Sequence, residues 1–456
     1  MPRRLRLLWV IPYVPLRGIM AARERWWHLL TRLARRHDVT ILAFADPEDV
    51  GRTSELPPGL AGVHLVPKAP WFPKDPLALL PKDVAGGFAH PALRAAIAKR
   101  LASDRWDVVQ YELGEMAHCI PGPAAARTIL TMHQLGFAQQ GPIWRAERGG
   151  IRRGAILLHR YLRELDFELR ALGRVDHVVT MSAEDASRLR RFVPEVAVSV
   201  SPCGVDCREF APPATPPSTV ADVLFVGHFH HPPNTDAVHF LVRDVVPRLG
   251  RPVRLRVVGR GMTPDIQALA RPGSVDVVGP VDDVRPELAA ASVFVAPVRF
   301  GTGMRGKVLE ALAMGRPVVT TSVGAEGLGT LSGRDLLVAD DAAAFAVALR
   351  GVLDDPALAA RLGAGGRALV AARFDWDAIA AAHDEIYDNV LRAPARATME
   401  PEPAMQLARV AGRLGYLPGL ALGFGLLVAR AARWHARRLA RPRRPRAAAT
   451  RAPVQA

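Results

Sequence analysis

A chain of 456 residues, 49% hydrophobic and 23% charged, is too long for a single small binding module and too apolar to be disordered. Its net charge of +16 suggests a nucleic-acid binder until it is located: residues 403–456 carry 11 arginines and no acid, leaving +5 on the rest. That modest balance suits anionic small molecules better than a specific nucleic acid, and three cysteines (Cys119, Cys203, Cys207) are too few for a disulfide framework, which points to a reducing, cytoplasmic setting.

The start, basic residues followed by apolar Leu7 to Val14, has the charge order of a signal peptide, but Pro12 and Pro15 favour a first buried strand over Leu5 to Val10. A loop at Gly18 leads into a helix with Trp26, Leu29, Leu30 and Leu33 at helical spacing, and Val39 to Phe44 returns to strand. Further strands are predicted at Asp107-Val-Val-Gln, Thr128-Ile-Leu-Thr, His177-Val-Val-Thr and Val196 to Val200. Ala211 to Thr219 holds four prolines in nine residues and reads as a stiff linker. The pattern then restarts at Asp222 to Val226 and continues through Leu255 to Val258, Val275 to Val278, Val293 to Ala296 and Pro317 to Thr320, and a last helix runs from Phe374-Asp-Trp376 to about Leu391.

Strand and helix patterns alternating in this way predict parallel α/β layers with ligands at the carboxyl ends of the strands. The expected domains are 1–210, a linker at 211–219, a second domain at 220–372, a helix at 373–392 packing back toward the first, and a basic tail at 393–456. In the tail, Leu414 to Ala429 is uncharged over 16 residues, short of the ~20 needed to span a bilayer. It reads either as disordered or as lying on an anionic membrane surface.

Chemistry concentrates between Ser292 and Thr321, where a strand, the glycines Gly301, Gly303 and Gly306, a helix and the next strand follow in order. Glycines let the backbone approach a phosphate, and the helix start offers unpaired N–H groups to an anion. Lys307 and Glu310, three apart, share a helix face, so a cation for a diphosphate and a carboxylate for sugar hydroxyls point the same way. The same spacing also suits an ordinary solvated pair. Gly301-x-Gly303-x-x-Gly306 matches the dinucleotide fingerprint literally, with Glu326 20 residues beyond, so an NAD-binding oxidoreductase is the alternative from another reaction class. Its position after several αβ units, and a lysine directly after the third glycine, favour a bare diphosphate end.

Several motifs in order resemble one family over residues 5 to 392. Phe225-Val-Gly227 with Asn234, Val257-Val-Gly-Arg-Gly261, Val277-Val-Gly279-Pro-Val281, the Gly-Thr-Gly…Lys307…Glu310 segment and Val323-Gly-Ala-Glu-Gly-Leu328 resemble the donor domain of retaining family-4 (group 1) glycosyltransferases. Pro12 to Gly18 with Arg25, Val178-Val-Thr-Met-Ser182 and Pro202-Cys-Gly-Val-Asp206 resemble its first domain, and the likeness is greatest to sugar transferases of bacterial exopolysaccharide systems. The resemblance implies a GT-B fold: two Rossmann-like domains facing a cleft that binds a nucleoside-diphosphate sugar, with a saccharide or polyprenyl-linked acceptor, no cofactor and no metal. It implies Lys307 at the diphosphate, Glu310 at the ribose, Gly279 to Val281 at the base, and Gly227, Asn234, Thr302, Gly303 and Met304 lining the donor site. Gly18 would form the acceptor and phosphate loop, Arg25 would assist bond breaking, and His133 would contact the donor sugar; as a lone residue, His133 equally suits a satisfied core imidazole.

Two departures stand out. The family's Glu-x7-Glu pattern asks for a carboxylate eight residues before Glu310, where this chain has Thr302. The loop after Gly227 has His228, His230 and His231 in place of the usual basic residue, a loop facing the cleft more than a metal cluster. A catalytically silent scaffold that only binds nucleotide sugar, or a nucleotide-sugar epimerase, therefore stay open beside a transferase peripheral to the cytoplasmic membrane face.

Overall fold

The apolar runs become the strands of two parallel sheets. The first is built from β1 (Arg6–Ile11), β2 (Asp38–Ala45), β3 (Gly62–Pro67), β4 (Val108–Glu112), β5 (Arg127–Met132), β6 (His177–Thr180) and β7 (Ala197–Val200), in the order β3-β2-β1-β4-β5-β6-β7. The second takes β8 (Ala221–His228), β9 (Leu255–Arg260), β10 (Val275–Gly279), β11 (Ala291–Ala296), β12 (Val318–Thr320) and β13 (Leu337–Val338), in the order β10-β9-β8-β11-β12-β13. All neighbours are parallel. Helices cover both faces of such sheets, so a central strand reads as continuous apolar sequence; Leu7 to Ile11 in β1 is buried throughout. The run that mimicked a signal peptide is thus a core strand. Two strands escaped the sequence reading, β3 and β13, because both are edge strands with half-exposed residues and carry little apolar signal.

This computed structural model describes residues 3–18, 20–68, 90–121, 125–136, 167–168, 171–194, 196–214, 221–301 and 306–394. All fall in one compact unit. The basic tail and most of the proline-rich linker lie outside the described residues. The helices described are α1 (Ala21–Leu33), α2 (Pro91–Ser103), α3 (Ala183–Phe192), α4 (Pro232–Phe240), α5 (Pro264–Gln267), α6 (Arg285–Ala290), α7 (Gly306–Ala313), α8 (Ala342–Asp354), α9 (Pro356–Arg373) and α10 (Trp376–Arg392). Chain order reverses between β1 and β4 in the first sheet and between β8 and β11 in the second, so each lobe has its crevice beyond the carboxyl ends of those strands.

The last helix belongs to the first lobe's core. Asp375 caps α10 by accepting from the Asp377 N–H at 2.8 Å. Beyond the cap, Trp376, Ile379, Ala380, Ile386, Tyr387 and Val390 join one apolar cluster with Trp9, Trp26, Leu29 and Leu33. Charged pairs line the seam: Arg32 Nε to Asp377 at 2.5 Å, and Asp384 with both Arg36 and His37. Gly204 is required here by space, since a Cβ would sit 2.6 Å from Ile379 Cδ1 and 2.8 Å from the Phe374 carbonyl oxygen.

Candidate functional site

In the second lobe, β11 ends at Ala296 and the chain passes Gly301 before α7 begins at Gly306. Thr302, Gly303 and Met304 lie outside the described residues. Lys307 stands on the first turn of α7 and bonds Glu310 through Nζ, 2.9 Å from Oε2 and 3.1 Å from Oε1. The lysine side chain is 48% exposed and that of Glu310 18%, so the pair has a wet cation over a mostly buried anion. Burial pushes the Glu310 carboxyl above the ordinary range, the Lys307 ammonium pulls it back, and the negative charge of Glu24 from the first lobe raises it further.

Glu24 organises the glycine loop after β1. Its carboxylate accepts from the Gly18 N–H at 2.7 Å, from Arg17 Nε at 3.2 Å, and lies 3.3 Å from His28 Nε2. Burial pushes the Glu24 carboxyl up, but those hydrogen bonds and the charges of His28 and Arg17 outweigh it and hold it at about 2. Gly18 has φ of 74°, a left-handed conformation that lets the loop turn back onto α1. Arg17 then reaches Glu209 at 2.6 Å, tying the loop to the segment that leads into the second lobe.

A second constellation lies at the ends of β4 and β5. Glu112 closes β4 and is fully buried, and His133 directly follows β5 with Nε2 2.9 Å from Glu112 Oε2. Burial works to raise the Glu112 carboxyl, but the hydrogen bond and charge of His133, the charge of Arg25 and a bond from Thr131 bring it down to about 2. The edge of Trp26 meets the His133 ring, with centroids 5.7 Å apart.

Arg25 lies behind these groups, enclosed by the protein. It is 1% exposed, donates through Nη1 to the Pro202 carbonyl at 2.8 Å and through Nη2 to Ser201 Oγ at 3.0 Å, and leaves only a buried Nε unpartnered. A guanidinium enclosed in this way ties α1 to the segment after β7. Gly227 is the next-to-last residue of β8, where a Cβ would meet Phe225 at 2.8 Å, and the Asn234 amide closes the following turn by donating to the His228 carbonyl at 2.9 Å. Gly279 has φ of 87° with open space around its Cα, and Val281 packs half-buried on the second lobe's core. The rings of His228 and His230 meet edge to face, and among the described residues no three His, Cys, Asp or Glu side chains gather as a metal site. Glu326, which the dinucleotide reading needs at a ribose, pairs instead with Arg188 of α3 at 2.9 Å.

Glu310 thus feels the charge of Glu24, which holds the Gly18 loop, while His133 pairs with Glu112, whose carboxylate also feels the charge of Arg25. Sequence reasoning missed Glu112, Glu24 and Arg17. The signal for Glu112 was present, a carboxylate at the carboxyl end of an otherwise buried parallel strand.

Two doubly wound lobes with their chemistry at the strand ends define the GT-B fold. Residues 24–209 match the model for Glycosyltransferase Family 4, and residues 221–355 the model for Glycosyl transferases group 1. The two matches, one to each lobe, support a glycosyltransferase. Glycogen synthase from Mycobacterium tuberculosis (strain ATCC 25618 / H37Rv) is 28% identical over 432 residues, 89% of this chain and 98% of that one. Among solved structures, sucrose-phosphate synthase from Thermosynechococcus elongatus superposes with a TM-score of 0.63 at 21% identity, covering 86% of this chain and all of the other. Anabaena HepE in complex with UDP gives 0.61 at 14%, covering 84% of this chain and all of that one. Among the described residues no helix is long and apolar enough to cross a membrane.

Proposed function

We propose that this protein transfers a sugar, with retention of anomeric configuration, from a nucleoside-diphosphate sugar to a saccharide or polyprenyl-linked acceptor. The product is an exopolysaccharide or another cell-envelope glycan made at the cytoplasmic membrane face. The observation that carries this reading is the Lys307–Glu310 pair, an exposed ammonium beside a mostly buried carboxylate on the first turns of α7, beyond the glycine loop. The ammonium offsets charge developing on a departing diphosphate, and the carboxylate accepts from a ribose diol. Gly279 to Val281 receive the base edge, Gly227 and Asn234 shape the wall beneath the donor, the Gly18 loop faces the acceptor side, and His133 meets the donor sugar. HepE, of the same fold, was crystallised with UDP, which supports a nucleotide in this crevice.

The reading is tested by calorimetry and thermal shift of the full chain against UDP-, GDP-, ADP- and dTDP-sugars and NAD, with EDTA present. One nucleoside diphosphate should stabilise the folded state, by about 2.7 kcal/mol at a hundredfold excess over its Kd. Proton NMR of the transferred product should show the donor's anomeric configuration. Stabilisation by NAD alone, or an inverted product, would overturn the reading. The arginine-rich residues 403–456 further support attachment to anionic membranes. Deletion after Arg392 should weaken binding to phosphatidylglycerol vesicles in a salt-dependent way, and equal binding would refute the attachment.

A further inference from the structure

Glu112 is a buried anion whose hydrogen-bonding capacity is filled. Oε1 accepts from Gln110 Nε2 at 2.6 Å and from Thr131 Oγ1 at 2.7 Å; Oε2 accepts from Trp26 Nε1 at 2.7 Å and lies 2.9 Å from His133 Nε2. Four donors on two oxygens, at zero exposure, leave no lone pair for a substrate, so this carboxylate acts only through its neighbours. The backbone beside it is strained as well. Leu113, the next residue, is the only non-glycine with positive φ among the described residues, at 77°. Its N–H still reaches the Thr131 carbonyl at 3.0 Å, which registers the end of β4 against β5. Strain of this kind persists where surrounding structure over-determines a geometry.

Of the side chains on Glu112, only His133 has an open edge, at 16% exposure. An ionised carboxylate can only accept, so Nε2 carries a proton, and whenever the ring is in its neutral form the unprotonated nitrogen is Nδ1, at its other side. Trp26 braces the ring: the two rings meet edge to face with centroids 5.7 Å apart, while the indole N–H is held by the same carboxylate. Among the described residues Nδ1 of His133 has no hydrogen-bond partner.

We propose that Glu112 is a positioning residue that locks His133 in its Nε2–H tautomer, so that the Nδ1 lone pair accepts a hydrogen bond from a hydroxyl of the bound sugar. The role of the sugar rests on the glycosyl-transfer reading; the tautomer does not. A second consequence is that His133 cannot be replaced by a flexible acceptor at equal efficiency, because its orientation is set from beneath.

The experiment has two arms on the full chain. Long-range proton–nitrogen NMR of histidine-labelled protein at pH 8, with His133 assigned by its absence in His133→Asn, reads the tautomer directly and needs no change at Glu112. A protonated Nε2 and bare Nδ1 are expected, and the Nδ1–H tautomer would overturn the proposal. In the second arm kcat/KM for sugar transfer is measured for wild type, Glu112→Gln, His133→Asn and the double variant. Glu112→Gln is expected to lower kcat/KM by about 10- to 100-fold, the range for losing a hydrogen bond to a charged group, and by less than about twofold when His133 is already Asn. Equal losses in both backgrounds would mean that Glu112 serves the fold alone and would refute the positioning role. If wild type transfers from no nucleotide sugar, the glycosyl-transfer reading fails, and the tautomer spectrum still decides what Glu112 does to His133.

Discussion

Tyr387 of α10 donates its hydroxyl proton to Gln110 Oε1 at 2.8 Å, across 277 residues of sequence, while the phenolic oxygen of Tyr387 accepts from Trp9 Nε1 at 3.2 Å. All three residues are buried, so the last helix is keyed into the layer beneath Glu112. Tyr387→Phe leaves two buried polar groups without partners and should lower stability by about 1–3 kcal/mol in urea unfolding. A change below about 0.5 kcal/mol would show that the phenol adds nothing to the seam.

Lys307→Ala separates function from folding. Its ammonium is half exposed but the Glu310 carboxylate it pairs with is mostly buried, so losing it should cost about 1–3 kcal/mol and lower the melting temperature modestly with the fold retained. If Lys307 offsets charge on the leaving diphosphate, kcat should fall about 100-fold or more. Unchanged turnover by a stable variant would remove Lys307 from the donor site.

Gly259 should tolerate no side chain. A Cβ there would lie 1.7 Å from the Gly227 carbonyl oxygen and 3.1 Å from Phe229, so β8 and β9 would have to separate at the crevice. Gly259→Ala should therefore lower stability by about 3 kcal/mol or more, seen as a lower urea midpoint. Gly273→Ala, where φ is 79° but no atom lies within 4 Å, serves as the control for backbone strain without a clash and should lose about 1 kcal/mol.

Acid should weaken the fold before the carboxylates protonate. Burial lowers His383 to about 4, with the Arg25 charge adding to the effect, and burial likewise lowers His177 to about 4. In both, the folded pKa lies below the unfolded one, so the unfolded chain takes the proton first. Their contribution is complete above about pH 6.5 and is lost as pH falls toward 4, by roughly 3 kcal/mol for fully buried His383. Glu24 and Glu112, held at about 2, begin to lose theirs only below their unfolded values near 4.5. Urea midpoints measured from pH 7.5 to 5 should fall, and His383→Gln should flatten that slope; an unchanged slope would place its proton elsewhere.

Much of the architecture was legible before any coordinates. Continuous apolar runs such as Leu7 to Ile11 identify strands buried on both faces, and the helical spacing of Lys307 and Glu310 after the run Val293 to Ala296 puts that pair on a helix following a strand. These are local signals, carried by periodicity and by residues within a few turns of one another. Edge strands β3 and β13 were not legible, because a strand paired on one side and half exposed needs little apolar sequence.

The two parallel lobes and the pairing of Lys307 with Glu310 on one helix face follow from the order of residues alone. Folding the lobes together is what encloses Arg25 against Ser201 and Pro202, sets Glu24 on the Gly18 loop and puts Glu112 against His133. The reason is the range of the interactions. Strand and turn propensities act over a few residues, whereas a buried charge takes its role from partners on other elements, as Arg25 does from residues 176 and 177 positions away.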